Sequence, residues 1–187
     1  MMKMKKYLIT DPKYYTSNPQ FLIQKLLHVQ VQYQPDCICL RDKTTSTYES
    51  LAKSFVDTLG TCKETKLYLH TDFLLASKLG CQGVHLPSHA FNDIEKAKRL
   101  NLDVIFSAHS YEEILLAEKL GADAVTISPI FPTPNKGEPL GLEKLKEIND
   151  KISIKCFALG GIVSTEQIAA CKRVGVYGFA SIRYFLD

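Results

Sequence analysis

The feature that most constrains this chain is a rhythm. Eight short apolar runs recur along it, at residues 7–11, 37–40, 67–70, 83–86, 104–107, 124–128, 156–159 and 177–180. Most are continuous instead of alternating, as parallel strands buried on both faces require. Helical signals fill the intervals. Ser110-Tyr-Glu-Glu113 has the pattern of a capping box before ILLAEKL, and Gly121 follows that helix. Ser164-Thr-Glu-Gln167 repeats the pattern before IAACKRV, which Gly175 closes. Asn92 or Asp93 is expected to cap IEKAKRL. Eight β-then-α units in order predict an α/β fold, a (β/α)₈ TIM barrel of parallel strands spanning residues 1–187 as a single domain. The first run lacks a following GxGxxG, which argues against a dinucleotide-binding sheet.

Length is the odd quantity. Such barrels typically run to about 250 residues, and this sequence has 187. The eighth helix is therefore expected to be truncated or missing, with residues 181–186 forming one or two helical turns. The flank between the first and seventh helices should then expose apolar surface, and a second copy of the chain is expected to cover it. A net charge of +3 without a long basic run argues against a nucleic-acid partner. No window is apolar enough to span a bilayer and the start does not read as a signal peptide, so a cytoplasmic protein without a membrane partner is expected. Of the six cysteines only Cys37 and Cys39 are close in sequence. They read as small buried residues; zinc or redox chemistry is the other reading.

In a barrel, chemistry sits at the carboxyl ends of the strands. Parity along the second strand gives Arg41 and Lys43 one direction. If that direction is inward, two cations stand at the mouth and suit a phosphate or pyrophosphate; otherwise they belong to a solvated turn. After the fifth strand, Ser107 and His109 share a side. His109 is a candidate general acid/base because imidazole titrates near neutrality, or it is packed for structure. His70, His85 and His89 also lie near strand ends and read as structural or rim residues. The loop after the sixth strand is SPIFPTPNKGEPLG. Its prolines limit backbone freedom and present Thr133, Asn135 and Lys136. Gly160-Gly161 after the seventh strand would let backbone N–H groups approach a ligand. With the stub that begins at Ser181, they are in the units where barrels often bind phosphate.

LRDK, HLPS, SAHSYEE, SPIFPTPNKGEPLG and ALGGI, in this order, resemble the thiamine phosphate synthase and thiazole tautomerase (TenI-like) superfamily. The resemblance runs from LITDP to SIRYF and implies the same barrel. For a synthase it implies that hydroxymethylpyrimidine pyrophosphate and thiazole phosphate are joined with Mg²⁺ and pyrophosphate released. Arg41, Lys43 and Ser107 would face the pyrophosphate, Thr133 and Lys136 the ligand, and Gly141, Gly161 and Ile182 the thiazole phosphate. The sequence departs from that pattern where magnesium-binding carboxylates are expected: Thr71 and Ala90 stand there, and Cys39 replaces a glutamine. Asp42, Asp72 or Asp93 could bind metal only in an altered geometry. HLPS and His109 resemble the tautomerase branch, which moves a proton on a carboxythiazole phosphate without metal. The expected function is thus a TenI-like thiazole tautomerase with no cofactor. The alternative is a Mg²⁺-dependent thiamine phosphate synthase, and the second alternative is a barrel that binds phosphates without turnover.

Overall fold

The computed structural model describes residues 3–186. The chain runs β1 (Lys5–Ile9), α1 (Pro12–Tyr15), α2 (Pro19–Tyr33), β2 (Cys37–Leu40), α3 (Tyr48–Leu59), β3 (Lys66–His70), α4 (Phe73–Lys78), β4 (Gly83–Leu86), α5 (Phe91–Arg99), β5 (Asp103–Ala108), α6 (Tyr111–Lys119), β6 (Ala124–Ile127), α7 (Gly141–Asn149), β7 (Lys155–Leu159), α8 (Thr165–Val174) and β8 (Gly178–Ser181). The strands pair in sequence order and close, β8 on β1, into a parallel barrel with its helices outside. This is the expected (β/α)₈ fold.

Strand parity divides the core in two. Tyr7, Ile9, Cys37, Cys39, Tyr68, Ile105, Phe157 and Ala180 fill the barrel interior. The alternate residues, such as Leu8, Ile38, Leu69, Val84, Phe106 and Val125, meet the helices. Helices bury one stripe each: Leu51, Ala52, Phe55 and Leu59 on α3 follow the 3.6-residue period. Burial lifts the thiols of Cys37 and Cys39 to about 12 and keeps them protonated, as small core residues.

Ser164 and Gln167 form the full capping box, and Gly175 ends α8 in the left-handed conformation. At α6 the box is half formed: Ser110 accepts from the Glu113 N–H, but Glu113 reaches past the cap to His109 N. Neither Asn92 nor Asp93 caps α5. The helix starts earlier, after Ala90, and Asp93 pairs with Lys96 inside the first turn. The first strand also lies earlier than its apolar run, because Asp11 is taken as the α1 cap, where it accepts from the Lys13 N–H.

Residues 182–186 make a turn, not helical turns. The Ser181 hydroxyl accepts from Tyr184 N, and Tyr184 and Phe185 pack edge-on against Tyr33 of α2 at ring-centroid distances of 5.7 and 5.6 Å. These aromatics cover part of α2. Phe21 and Val31 on α2 stay exposed.

Candidate active site

A cavity of about 530 Å³ opens at the carboxyl end of the barrel. Arg41 and Lys43 enter it from β2, and Ser107 and His109 from β5. Thr133, Asn135 and Lys136 come from the loop after β6, Gly160 and Gly161 from the end of β7, and Ser181 and Ile182 from β8. The structure therefore brings together every expected site residue except Gly141. That glycine starts α7, where its N–H donates to Ile130 O.

The wall is cationic. Lys13, Arg41, Lys43, Lys136 and Arg183 line it against one carboxylate, Asp11. Arg41 Nη1 lies 2.8 Å from Asp11 Oδ2. Lys43, Lys136 and Arg183 have no acidic partner among the described residues, so their charge faces the cavity or solvent.

His109 has a defined tautomer. Its Nδ1 lies 3.2 Å from the carbonyl oxygen of Ser128. A carbonyl only accepts, so Nδ1 carries a proton, and in the neutral ring the lone pair is on Nε2. That is the arrangement a proton acceptor needs. His70 is half-buried; burial, and then the positive charges of Arg41 and Lys43, lower its imidazole to about 4. Its Nδ1 is 2.8 Å from the Thr71 hydroxyl. His85, expected to be structural, is buried between β3 and β5 and still reaches the cavity wall. Its signal in the sequence was a single polar residue inside the parallel-strand run GVHL, which parity turns inward.

The glycine pair also has a packing role. A β-carbon on Gly160 would stand 2.7 Å from Pro129 Cα, and one on Gly161 would stand 2.7 Å from Pro132 O. Ile130 N and Phe131 N donate to Leu159 O and Gly160 O. The glycines therefore seat the proline-rich loop against β7, and both also line the cavity. Two hydroxyls of the wall are also occupied: Thr133 donates to Phe131 O, and Ser181 donates to Ile162 O.

Among the described residues no preformed cluster of three ligands for Mg²⁺ stands in the wall. A hard cation needs carboxylate or carbonyl oxygens. Asp11 is paired with Arg41, Asp42 accepts from Ser17, Thr44 and Thr45, and Asp72 caps α4 through Leu75 N. Asp93 pairs with Lys96. Among the described residues no three His, Cys, Asp or Glu converge on a common point. No described helix is long and apolar enough to cross a membrane.

Comparison with known proteins agrees with the barrel. The family described as thiamine monophosphate synthase matches residues 6–185. A protein of Aquifex aeolicus named "Putative thiamine-phosphate synthase 2" is 39% identical over 186 residues, 97% of each chain. The thiamine-phosphate synthase of Clostridium novyi is 30% identical over 97% of this chain and 90% of its own length. The thiamine phosphate pyrophosphorylase of Pyrococcus furiosus superposes with a TM-score of 0.81 at 27% identity, over 96% of this chain and 85% of that one. These names favour the synthase, expected second from the sequence, over the tautomerase expected first. With a match that spans nearly all of its length, the chain belongs to the thiamine monophosphate synthase family.

Proposed function

We propose that this chain binds a phosphorylated thiazole at the barrel mouth and couples it to a pyrimidine pyrophosphate. The observation that carries this reading is the cationic wall, in a chain whose full-length relatives are named for the synthase reaction. Releasing pyrophosphate builds negative charge on the leaving oxygens. In this reading Arg41 and Lys43 after β2, Ser107 of β5 and Lys136 of the loop after β6, which line the same cavity, meet that charge. Gly160 and Gly161 seat residues 129–132 of that loop against the end of β7, which limits the freedom of the segment that carries Lys136.

One observation favours a second reading, proton transfer on a carboxythiazole phosphate. His109 lines the cavity with its Nδ1 on the Ser128 carbonyl, which leaves Nε2 as the basic nitrogen of the neutral ring, and no cluster of His, Cys, Asp or Glu for a metal stands beside it among the described residues. In that reaction His109 moves the proton while the cations hold the phosphate.

A single incubation series separates the two. Thiazole phosphate and pyrimidine pyrophosphate are supplied together, with Mg²⁺ or with chelator, and the non-aromatic carboxythiazole phosphate is supplied alone. Pyrophosphate release that requires both substrates is the expected result. Isomerisation of the carboxythiazole in chelator, without pyrophosphate release from the pair, would replace it with the second reading.

A further inference from the structure

We propose that His85 is a positioning residue that makes Ser107 a fixed hydrogen-bond donor toward an anion in the barrel mouth. The proposal rests on the reading above only in taking the bound group to be anionic.

Three side chains form a line from the barrel centre to the cavity. Tyr7 Oη lies 2.8 Å from His85 Nδ1, and His85 Nε2 lies 2.9 Å from Ser107 Oγ. Tyr7 is fully buried and His85 is 3% exposed. Their rings stack with centroids 5.7 Å apart and an interplanar angle of 28°. The imidazole is therefore held at both nitrogens and against one face.

Chemistry sets the direction of the line. Burial raises the Tyr7 phenol well above its ordinary range, so it keeps its proton and must donate it. The two acceptors in reach are the Cys39 sulfur and His85 Nδ1. A thiol sulfur is a weak acceptor and an imidazole nitrogen a strong one, so Nδ1 takes the bond. Burial also lowers His85, to about 3, so the ring is neutral and carries one proton. With Nδ1 accepting, that proton sits on Nε2 and is donated to Ser107 Oγ.

A serine hydroxyl ordinarily rotates between donor and acceptor roles. Here one of its two lone pairs is taken by His85, and no acceptor for its own proton stands among the described residues. Thr126, its register partner on β6, has a buried hydroxyl without a partner and does not take that proton. Ser107 lines the cavity, so the free O–H is offered to whatever binds there. An unprotonated phosphate or pyrophosphate oxygen, which only accepts, matches it.

Two measurements test this. Nitrogen-detected NMR on protein with ¹⁵N-histidine reads the His85 tautomer without any substitution. A protonated Nε2 and a bare Nδ1 are expected; a protonated Nδ1, or a doubly protonated ring at neutral pH, overturns the proposal. Calorimetric titration with inorganic pyrophosphate reads the consequence. Ser107→Ala should weaken binding about tenfold, the size expected for one hydrogen bond to a charged group. Tyr7→Phe should weaken it about threefold, less than direct loss of the donor. The double variant should bind no more weakly than Ser107→Ala alone, because Tyr7 acts through the serine. Unchanged affinity in Ser107→Ala, multiplying losses in the double variant, or no pyrophosphate binding by the unsubstituted protein each overturns it. Absence of turnover with these results intact counts against the synthase reading alone.

Discussion

Gly161 lies directly beneath Phe131: a β-carbon on the glycine would stand 2.8 Å from the Phe131 Cβ. The proline-rich loop that carries Lys136 is thus seated on the end of β7 by a missing side chain. Gly161→Ala must push that loop away and hold alanine at φ +70°. It should cost about 1–3 kcal/mol of stability and raise KM for the phosphorylated substrate. Thermal melting and steady-state kinetics on one preparation check both effects, and an unchanged KM would detach the loop from ligand binding.

Acid should destabilise this fold in a defined window. His70 and His85 titrate at about 4 and about 3 in the folded chain, both below the usual imidazole value, because burial opposes the charged form. The unfolded chain therefore binds more protons between about pH 6.5 and these values. Stability is fully present above about pH 6.5 and falls as pH is lowered through the window, by at most about 1.4 kcal/mol per pH unit for each imidazole. Urea unfolding from pH 7 to pH 4.5 measures the slope. His70→Asn should reduce it by about one proton, and a slope that the variant leaves intact would assign the effect elsewhere.

His109→Gln bears on the second reading of the site. Glutamine keeps hydrogen-bonding groups but has no basic nitrogen. Isomerisation of the carboxythiazole phosphate, if the protein performs it, should fall by about 10²–10⁴-fold. The rate is followed by the absorbance of the aromatic product. A variant with the full rate would show that His109 is not the proton acceptor.

Asp11→Asn should tighten anion binding. Asp11 neutralises Arg41 across 2.8 Å and also caps α1. Asparagine caps equally well, so the substitution removes charge and keeps the helix start. Pyrophosphate affinity should rise about threefold, the scale of a partly exposed ion pair, and the gain should shrink with salt. Titration at two ionic strengths decides; weaker binding would mean that Asp11 holds Arg41 in its working orientation.

Thr126→Val should stabilise the protein. The Thr126 hydroxyl is buried in the barrel and has no hydrogen-bond partner. Removing an unsatisfied polar group with little change of shape should gain about 1 kcal/mol, or about 2–4 °C in Tm for a chain of this size. A lower Tm would point to an ordered water bonded to the hydroxyl.

The helix signals that came true are all short-range. Ser164, Gln167 and Gly175 set both ends of α8 through contacts within one turn of chain, so they can be read from neighbouring letters. The reading of α5 failed for the same reason in reverse. Asn92 and Asp93 are good caps locally, but the helix begins two to three residues earlier, where Phe91 packs on Phe106 with ring centroids 4.5 Å apart. A tertiary contact outweighed a local preference.

By itself the sequence determined the order of strands and helices, the parallel barrel that this order implies, and the cations Arg41, Lys43 and Lys136 at strand ends and in the loop that follow from parity and position. Only the tertiary structure decided which groups those ends place together. Tyr7 and His85 are separated by 78 residues, and His85 and Ser107 by 22. Their hydrogen bonds exist because barrel closure sets strand register, which no run of neighbouring residues records. The same holds for Gly160 and Gly161. Their letters announce backbone freedom, and packing alone reveals that Pro129, Phe131 and Pro132 occupy the space their side chains would need.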